Sequence, residues 1–194
     1  MIPILFDSNE TTFTGNGLGR LADVASCEVT EARNGIFELE LSYPVDGRLF
    51  TSLTAGRYIY TTHDNSRKPQ PFTIYKVDEP LAGLATIHAW HFSYALRNII
   101  VRPFTATSCA DAVDKIVTNS INENPFTFTT DKEVAGAFVL DVPRDVRSLL
   151  GGSEGSLLDV YGKGELEYDM YAVKLWLNRG TDRGVTIRYG KNLA

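Results

Sequence analysis

Two short segments in which apolar and polar residues alternate strictly constrain the fold of this chain more than any other feature. In residues 37–43 the apolar members are Phe37, Leu39, Leu41 and Tyr43, and in residues 165–170 they are Leu166, Tyr168 and Met170. Because successive side chains of a β-strand point to opposite faces, this pattern predicts strands with one buried and one solvated face. The chain is therefore expected to be built largely from half-buried strands.

A hairpin is predicted where residues 27–33 and 36–43 flank Asn34-Gly35, the dipeptide that best suits a two-residue type I′ turn. Pro44 should end the second arm because proline has no N–H to donate. Further strands are predicted over residues 2–6, 57–62, 72–78 and 84–92. Several short strands at regular spacing indicate a barrel or a curled sheet rather than a doubly wound fold.

The sequence changes character after Pro103. Ser108 with Asp111 three residues later predicts a capped helix over residues 110–121, with one apolar face. A short strand is predicted over residues 126–130. Pro143 suits the first turn of a following helix. This middle section is expected to form a small α/β module.

The segment from Ser148 onward predicts two short helices followed by strands. The first helix should end at Gly151-Gly152, where a left-handed C-cap costs glycine nothing, and Ser153 should restart a second helix that closes at Gly162. The alternating strand and its partner follow, and residues 185–189 form a last strand candidate. A strand so near an end would leave unpaired edge groups, so we expect residues 171–189 to pair with a neighbouring chain or to be less ordered than the barrel.

Composition and charge exclude several classes of function. The 194 residues carry a formal net charge of -5 with a pI near 5.2, which argues against a whole-surface grip on nucleic acid. The end of the chain is nevertheless basic, either as a solvated strand face or as a seam to an acidic partner; its charges are Lys174, Arg179, Arg183, Arg188 and Lys191 against Asp182. No segment has the pattern of a signal peptide or the roughly 20 apolar residues of a membrane helix, so we expect no export signal.

Candidate catalytic and metal-ligating residues are few. His88 and His91 are three apart on a predicted strand, so they should point to opposite faces and not chelate one metal ion. Glu165, Glu167 and Asp169 share one strand face, which is either a solvated face or a carboxylate set for glycoside hydrolysis. We expect the solvated face, with no catalytic, metal or cofactor-binding residue.

Two other motifs have structural explanations. The glycines between Gly151 and Gly164 lack the P-loop spacing, because Leu157 stands where a glycine is needed and Lys163 is not followed by Ser or Thr. Cys27 lies in a predicted strand and Cys109 on an apolar helix face, far apart in sequence, so reduced structural cysteines are the simpler interpretation. No GxSxG elbow is present.

The sequence between about Arg147 and Leu193 also carries a family resemblance. The block GGSEGSLLDVYGKGELEYDMYAVKLWLNRGTDRGVTIRYGKNL closely resembles phage minor structural proteins of long-tailed phages and prophages, also called prophage endopeptidase tail or tail-associated lysin proteins. The strings YIYTTHDNSRKPQPFTIYKV and ATIHAWHFSYAL resemble the first domain of the same proteins. The agreement upstream of Arg147 is weaker.

The resemblance implies a fold and a place in the particle. The fold would be α+β and mostly β, a β-barrel-type hub domain with a small α/β insertion, like the hub domains of contractile-phage baseplates and type VI secretion spikes. The predicted parts are a barrel-like domain over residues 1–102, the α/β module over 103–162, and a hairpin over 163–194 that begins a further, truncated β domain.

The resemblance also implies partners. The chain would form a homotrimeric ring at the distal end of the tail tube, docked on the distal tail protein, enclosing the tape-measure end and later the DNA channel. Receptor-binding or lytic modules would follow, the protein would be made in the bacterial host cytoplasm, and this region would not insert into a membrane. The family's enzymatic motifs have no counterpart here. One alternative is a cell-wall hydrolase using Glu165, Glu167 or Asp169. The other is a carbohydrate-binding module, which the aromatic content of 9 Tyr, 10 Phe and 2 Trp suggests.

Overall fold

The computed structural model describes residues 1–62 and 68–180. Its strands are β1 (Ile4–Phe6), β2 (Gly19–Arg20), β3 (Ser26–Glu31), β4 (Phe37–Pro44), β5 (Tyr58–Thr61), β6 (Gln70–Val77), β7 (Leu84–His91), β8 (Ile100–Val101), β9 (Phe104–Ser108), β10 (Thr127–Thr130), β11 (Ala135–Leu140), β12 (Arg144–Asp145), β13 (Glu165–Asp169) and β14 (Ala172–Trp176). Its helices are α1 (Cys109–Thr118), α2 (Val146–Leu150) and α3 (Leu157–Val160), with 3₁₀ helices at Phe50–Ser52 and Phe92–Asn98. The fold is mostly β, as predicted.

The first seven strands form one antiparallel sheet in the order β2-β1-β5-β6-β7-β4-β3. The sheet curls into a half-barrel, which confirms the predicted curled architecture. Its concave face buries alternate residues of each long strand, because period-two patterning places them on one side. The buried members are Leu5, Leu39, Leu41, Tyr43, Ile59, Phe72, Ile74 and Ile87.

A second core lies beside the half-barrel. It is built from α1, α2, α3 and the strands that follow β8, and its apolar residues run from Phe92 to Leu175. In it β10 pairs in parallel with β14, which also pairs antiparallel with β13. The expected boundary at residues 162 and 163 crosses this core, and the division of the chain into three parts remains a prediction.

An aromatic layer joins the two cores. Phe13 packs on Tyr58 with ring centroids 5.3 Å apart and on Phe92 at 6.4 Å, and Phe92 in turn packs on Phe126 at 5.5 Å. Such edge-to-face and tilted pairs are favourable beyond their buried area. The half-barrel and the second core are therefore held together by ring contacts rather than by a linker alone.

The hairpin turn at Asn34 differs from the expectation. The predicted two-residue type I′ turn is wrong, because the last strand pair is Glu31 with Phe37 and the Ala32 N–H donates to the Ile36 carbonyl at 2.8 Å. Within this loop only Asn34 adopts a left-handed φ, of 54°. The loop therefore has three residues, 33–35, and its Asn34 side chain contacts another part of the fold, as described below.

The predicted helices are present, but they begin or end at residues other than those predicted. Ser108 caps α1 and accepts the Asp111 N–H at 3.1 Å. Pro143 is not in the first turn of α2, because Asp145 caps that helix at Val146. Likewise α3 begins after Ser156 rather than at Ser153.

Two glycines were predicted to cap α2. Gly152 has a left-handed φ of 84°, whereas Gly151 is extended; Gly162, with a φ of 73°, follows α3 as expected.

Among the described residues no helix is long and apolar enough to cross a membrane. The predicted strand at residues 185–189 lies outside the described residues.

Candidate functional site at the junction of the two cores

The junction of the half-barrel with β13 and α2 is centred on His91. This residue is fully buried and its ring stacks on Phe37 with centroids 4.0 Å apart. The Ser93 N–H donates to His91 Nδ1 at 3.2 Å, so the remaining ring proton lies on Nε2, which faces Gln70 Oε1 at 3.4 Å. Burial, and then the nearby Arg147 cation, lower the pKa of His91 to about 3, so the imidazole is neutral.

Gln70 connects this histidine to the C-terminal sheet. Its Nε2 donates to Asp169 Oδ1 at 3.0 Å, and its Oε1 accepts the Met170 N–H at 2.8 Å. The Lys68 ammonium donates to the other carboxylate oxygen of Asp169 at 3.0 Å. The Gln70 amide, together with Lys68, lowers the pKa of Asp169, which keeps the carboxylate ionised at neutral pH.

Arg147 of α2 closes the other side of the junction. Its guanidinium lies 3.9 Å from the Tyr94 ring centroid, and it donates to Ser93 Oγ at 3.2 Å and to the Gly35 carbonyl at 3.1 Å. The Tyr94 hydroxyl donates to Glu38 Oε1 at 3.0 Å. One arginine thus holds the helix, the 3₁₀ segment and the hairpin tip together through directional contacts.

The tip of the β3–β4 hairpin docks on β13. Asn34 Nδ2 donates to the Gly164 carbonyl at 2.8 Å, while its Oδ1 accepts the Leu166 N–H at 2.8 Å. Arg33 pairs with Glu165 at 3.2 Å, and Arg179 pairs with Glu31 at 3.2 Å. The Asn34 amide thus makes two hydrogen bonds to the backbone at the edge of β13, as a neighbouring strand would.

The three acids of β13 are each engaged by another part of the chain. Glu165 faces Arg33, Glu167 accepts the Trp176 Nε1–H and pairs with Arg179, and Asp169 is held by Lys68 and Gln70. They therefore form neither the freely solvated face that we expected nor a carboxylate set open to substrate. A general acid for glycoside hydrolysis needs a raised pKa, whereas that of Asp169 is lowered.

A cleft of about 230 Å³ opens beside these acids. The charged residues of its lining pair with one another, Lys68 with Asp169 and Arg179 with both Glu31 and Glu167. Two of the basic residues near the end of the chain have partners within the molecule. Arg179 pairs with Glu31 and Glu167, and the Lys174 ammonium lies 3.2 Å from the centroid of the Trp176 ring. Arg183, Arg188, Lys191 and Asp182 lie outside the described residues.

The two histidines of β7 point to opposite faces, as predicted. His88 is on the outer face, 2.8 Å from Asp78 and 3.6 Å from Glu40, while His91 is buried in the junction. Over the described ranges, no group of three His, Cys, Asp or Glu side chains is placed to hold a metal ion.

The remaining motifs are structural in the fold. Gly155 and Gly162 adopt left-handed φ values of 69° and 73° in turns around α3. Cys27 lies in β3 and Cys109 begins α1, both with free thiols. Cys109 is fully buried, and burial raises the pKa of its thiol, so it is not a thiolate nucleophile at neutral pH.

Sequence reasoning did not identify Gln70, Ser93, Lys132 or Arg147. Lys132 is almost fully buried and donates to the carbonyls of Gly162 and Lys163 in the turn after α3. The partners of these side chains are between 21 and 112 residues away, apart from the local Ser93–His91 contact. No periodic or spaced motif carries such contacts.

Comparison with known proteins gives a fold likeness. No protein-family profile and no curated protein matches the chain. Prophage tail protein gp18 from Listeria monocytogenes EGD-e superposes with a TM-score of 0.62 at 16% identity, over 91% of this chain and 50% of that one. The chain therefore spans about half the length of that tail protein.

A second solved structure is the E. coli c3393 protein, a component of the type VI secretion system described as structurally similar to the T4 tail proteins gp27 and gp5. It aligns at 11% identity over 81% of this chain and 46% of that one, with a TM-score of 0.47. The Listeria comparison confirms, at the level of the fold, the resemblance to a phage tail protein and the mostly β class.

Proposed function

We propose that this chain is a structural component of a phage or prophage tail, located in the baseplate hub at the tail tip. The observation that carries the proposal is the fold likeness to a prophage tail protein over 91% of the chain. The junction supports a structural role, because its polar side chains form hydrogen bonds and ion pairs that connect the half-barrel, α2 and β13. A part that transmits load between neighbours needs such internal connections more than an open reactive cleft.

In the proposed assembly the chain forms a ring, of three copies by the family resemblance, at the distal end of the tail tube. Each copy would contribute two different surfaces, since a cyclic trimer makes heterologous contacts. The distal tail protein and the tape-measure protein would contact the ring, receptor-binding or lytic modules would be attached to it, and DNA would only pass through.

Immunogold electron microscopy tests the location. Antibody raised against this chain should label one end of the tail, opposite the head, on intact particles or on particles opened by mild denaturant. Pre-immune serum should leave the tip unlabelled, and antibody against the major tube protein should label the whole tube. Label along the tube or on the capsid, or absent from every particle, would refute the hub assignment.

The proposal includes the absence of enzymatic activity. Purified protein and its Glu167→Gln variant should both release no muropeptides from cell walls, since the acids of β13 serve as ion-pair partners. Release by the wild-type protein that is lost in the variant would favour the hydrolase alternative instead.

A further inference from the structure

Another cleft, of about 460 Å³, lies where the β3–β4 hairpin tip, the 3₁₀ helix Phe92–Asn98 and α2 meet. The hairpin tip contributes Ile36, the 3₁₀ helix contributes Arg97, and α2 contributes Arg147. This cleft shares no lining residue with the one beside the β13 acids. Because elements far apart in sequence form it, its shape is set by the tertiary fold.

The two arginines of this cleft have no acidic partner. Over residues 1–62 and 68–180, neither the Arg97 nor the Arg147 guanidinium forms an ion pair. Asp145 also lines the cleft, but it accepts the Ser148 N–H at 3.0 Å and caps α2. Glu38 accepts a tyrosine hydroxyl at 3.0 Å. Within the described part of the chain, the cleft therefore presents two cations that no carboxylate contacts.

An aromatic stack holds both guanidinium groups in place. The Trp90 ring stacks on Tyr75 with centroids 4.1 Å apart and on Tyr94 at 5.5 Å. The Arg97 guanidinium lies 4.6 Å from the centroid of the Tyr94 ring, and that of Arg147 lies 3.9 Å from it. These contacts use ring faces on which a sugar would pack, whereas two cations and the electropositive ring edges attract an anion. The stack therefore favours an anionic ligand over a neutral carbohydrate.

Both arginines have hydrogen-bond donors left for such a ligand. Arg147 uses two of its N–H groups, on Ser93 Oγ and on the Gly35 carbonyl, and a guanidinium has further donors. The exposed Arg97 side chain donates no hydrogen bond within the described residues. A planar guanidinium binds a carboxylate through two parallel hydrogen bonds, and packing on Tyr94 already restricts both side chains. Binding a carboxylate therefore costs little further side-chain entropy.

The mouth of the cleft is partly apolar. Ile36 is 48% exposed at the hairpin tip, and Gly151 and Gly152 at the end of α2 leave room because they have no side chains. A small free anion such as phosphate would leave Ile36 in water. A peptide with an apolar residue beside its acid would cover Ile36 and stabilise the complex. The apolar mouth therefore favours a protein segment over a free anion.

We propose that this cleft binds an acidic segment of a partner protein. A Glu or Asp carboxylate of the segment lies between Arg97 and Arg147, and a neighbouring apolar side chain packs on Ile36. Opposite charges across the interface supply specificity and speed the encounter. The inference rests on this cleft alone and is independent of the proposed ring and of the position in the tail.

NMR titration of the full chain with short peptides tests the site. One blocked peptide has two Leu-Glu pairs between glycines, and the matched peptide has Lys in place of Glu. We expect the acidic peptide to shift the Nε–H signals of Arg97 and Arg147 and the amide signals of Ile36 and Gly152. The basic peptide should leave these signals unshifted, and added salt should weaken binding of the acidic one.

Substitutions at exposed positions, which should not disturb folding, assign the contacts. Arg97→Gln should weaken binding of the acidic peptide about fivefold or more, and Arg97→Glu should abolish it. Arg20→Gln removes an exposed arginine at the far end of the seven-stranded sheet and should leave binding within about twofold of wild type. Ile36→Ser should weaken binding of the acidic peptide but not of a version with glycine in place of leucine.

Several results would overturn the proposal. These are an absence of shifts in the arginine signals, equal effects of the acidic and basic peptides, and equal losses in Arg97→Gln and Arg20→Gln. Inorganic phosphate that produces the same shifts at the same concentration would overturn the assignment to a protein segment, because the cleft would then take any small anion. Shifts of the Arg97 signal that grow with the concentration of the chain itself would overturn it as well, because the occupant would then be a second copy.

Discussion

His91 should make the stability of this protein fall with acidification well before the carboxylates titrate. Its pKa is about 3 in the folded chain against an ordinary value of 6.5, because the imidazole is buried and lies near Arg147. Below pH 6.5 the unfolded chain binds a proton that the folded chain does not, so the free energy of unfolding decreases as pH falls toward 3. The slope is about 1.4 kcal/mol per pH unit.

The useful window lies above the range in which Asp and Glu titrate. Between pH 7.5 and pH 5.5 the protonation of unfolded His91 should remove about 1.4 kcal/mol of stability. Denaturant unfolding followed by tryptophan fluorescence at several pH values measures this loss. His91→Gln should be less stable at neutral pH, since it loses packing against Phe37, but its stability should depend on pH less steeply by that amount.

A second measurement keeps the test independent of how well the variant folds. If His91→Gln does not fold, NMR of the wild-type imidazole still decides the matter, since its signals should not titrate between pH 7.5 and 4.5. Equal slopes in wild type and His91→Gln, or an NMR midpoint near 6.5, would refute the reasoning.

Substitutions of Lys132, Asn34 and Ser108 test three further contacts. Lys132→Met should lower the free energy of unfolding by about 1.5–3 kcal/mol, because the turn after α3 loses the charged donor to its carbonyls, whereas Lys163→Met at an exposed position should change it by less than about 0.5 kcal/mol in the same urea titration. Asn34→Gly, which tolerates the left-handed backbone, should cost about 1–2 kcal/mol and speed hydrogen exchange of the Leu166 amide; unchanged exchange would show that the hairpin tip does not hold β13. Ser108→Ala should cost about 1 kcal/mol through loss of the α1 N-cap, and Ser108→Asp should restore most of it, both measured by thermal unfolding.

Patterns that repeat every two or every three to four residues were readable from the chain. The strands around Leu39, Leu41 and Ile87 and the capped helix at Ser108 follow from local rules of side-chain direction and capping, and the structure has them. Helix starts were less predictable, because more than one residue could begin each helix: Pro143 or Asp145 for α2, and Ser153 or Ser156 for α3. Asp145 and Ser156 made the cap contacts in place of the residues that sequence position favoured.

The sequence by itself determined that the chain would be mostly β, with a curled sheet and opposite directions for His88 and His91, because side-chain period depends only on nearest neighbours. Only the tertiary structure decided what the polar residues do. Glu165 and Asp169 appear in the sequence as a solvated row, yet each meets a cation from a segment about a hundred or more residues away. The physical reason is that ion pairs and buried hydrogen bonds depend on distance in space, which local patterning does not encode, whereas burial of alternate apolar residues does follow from it.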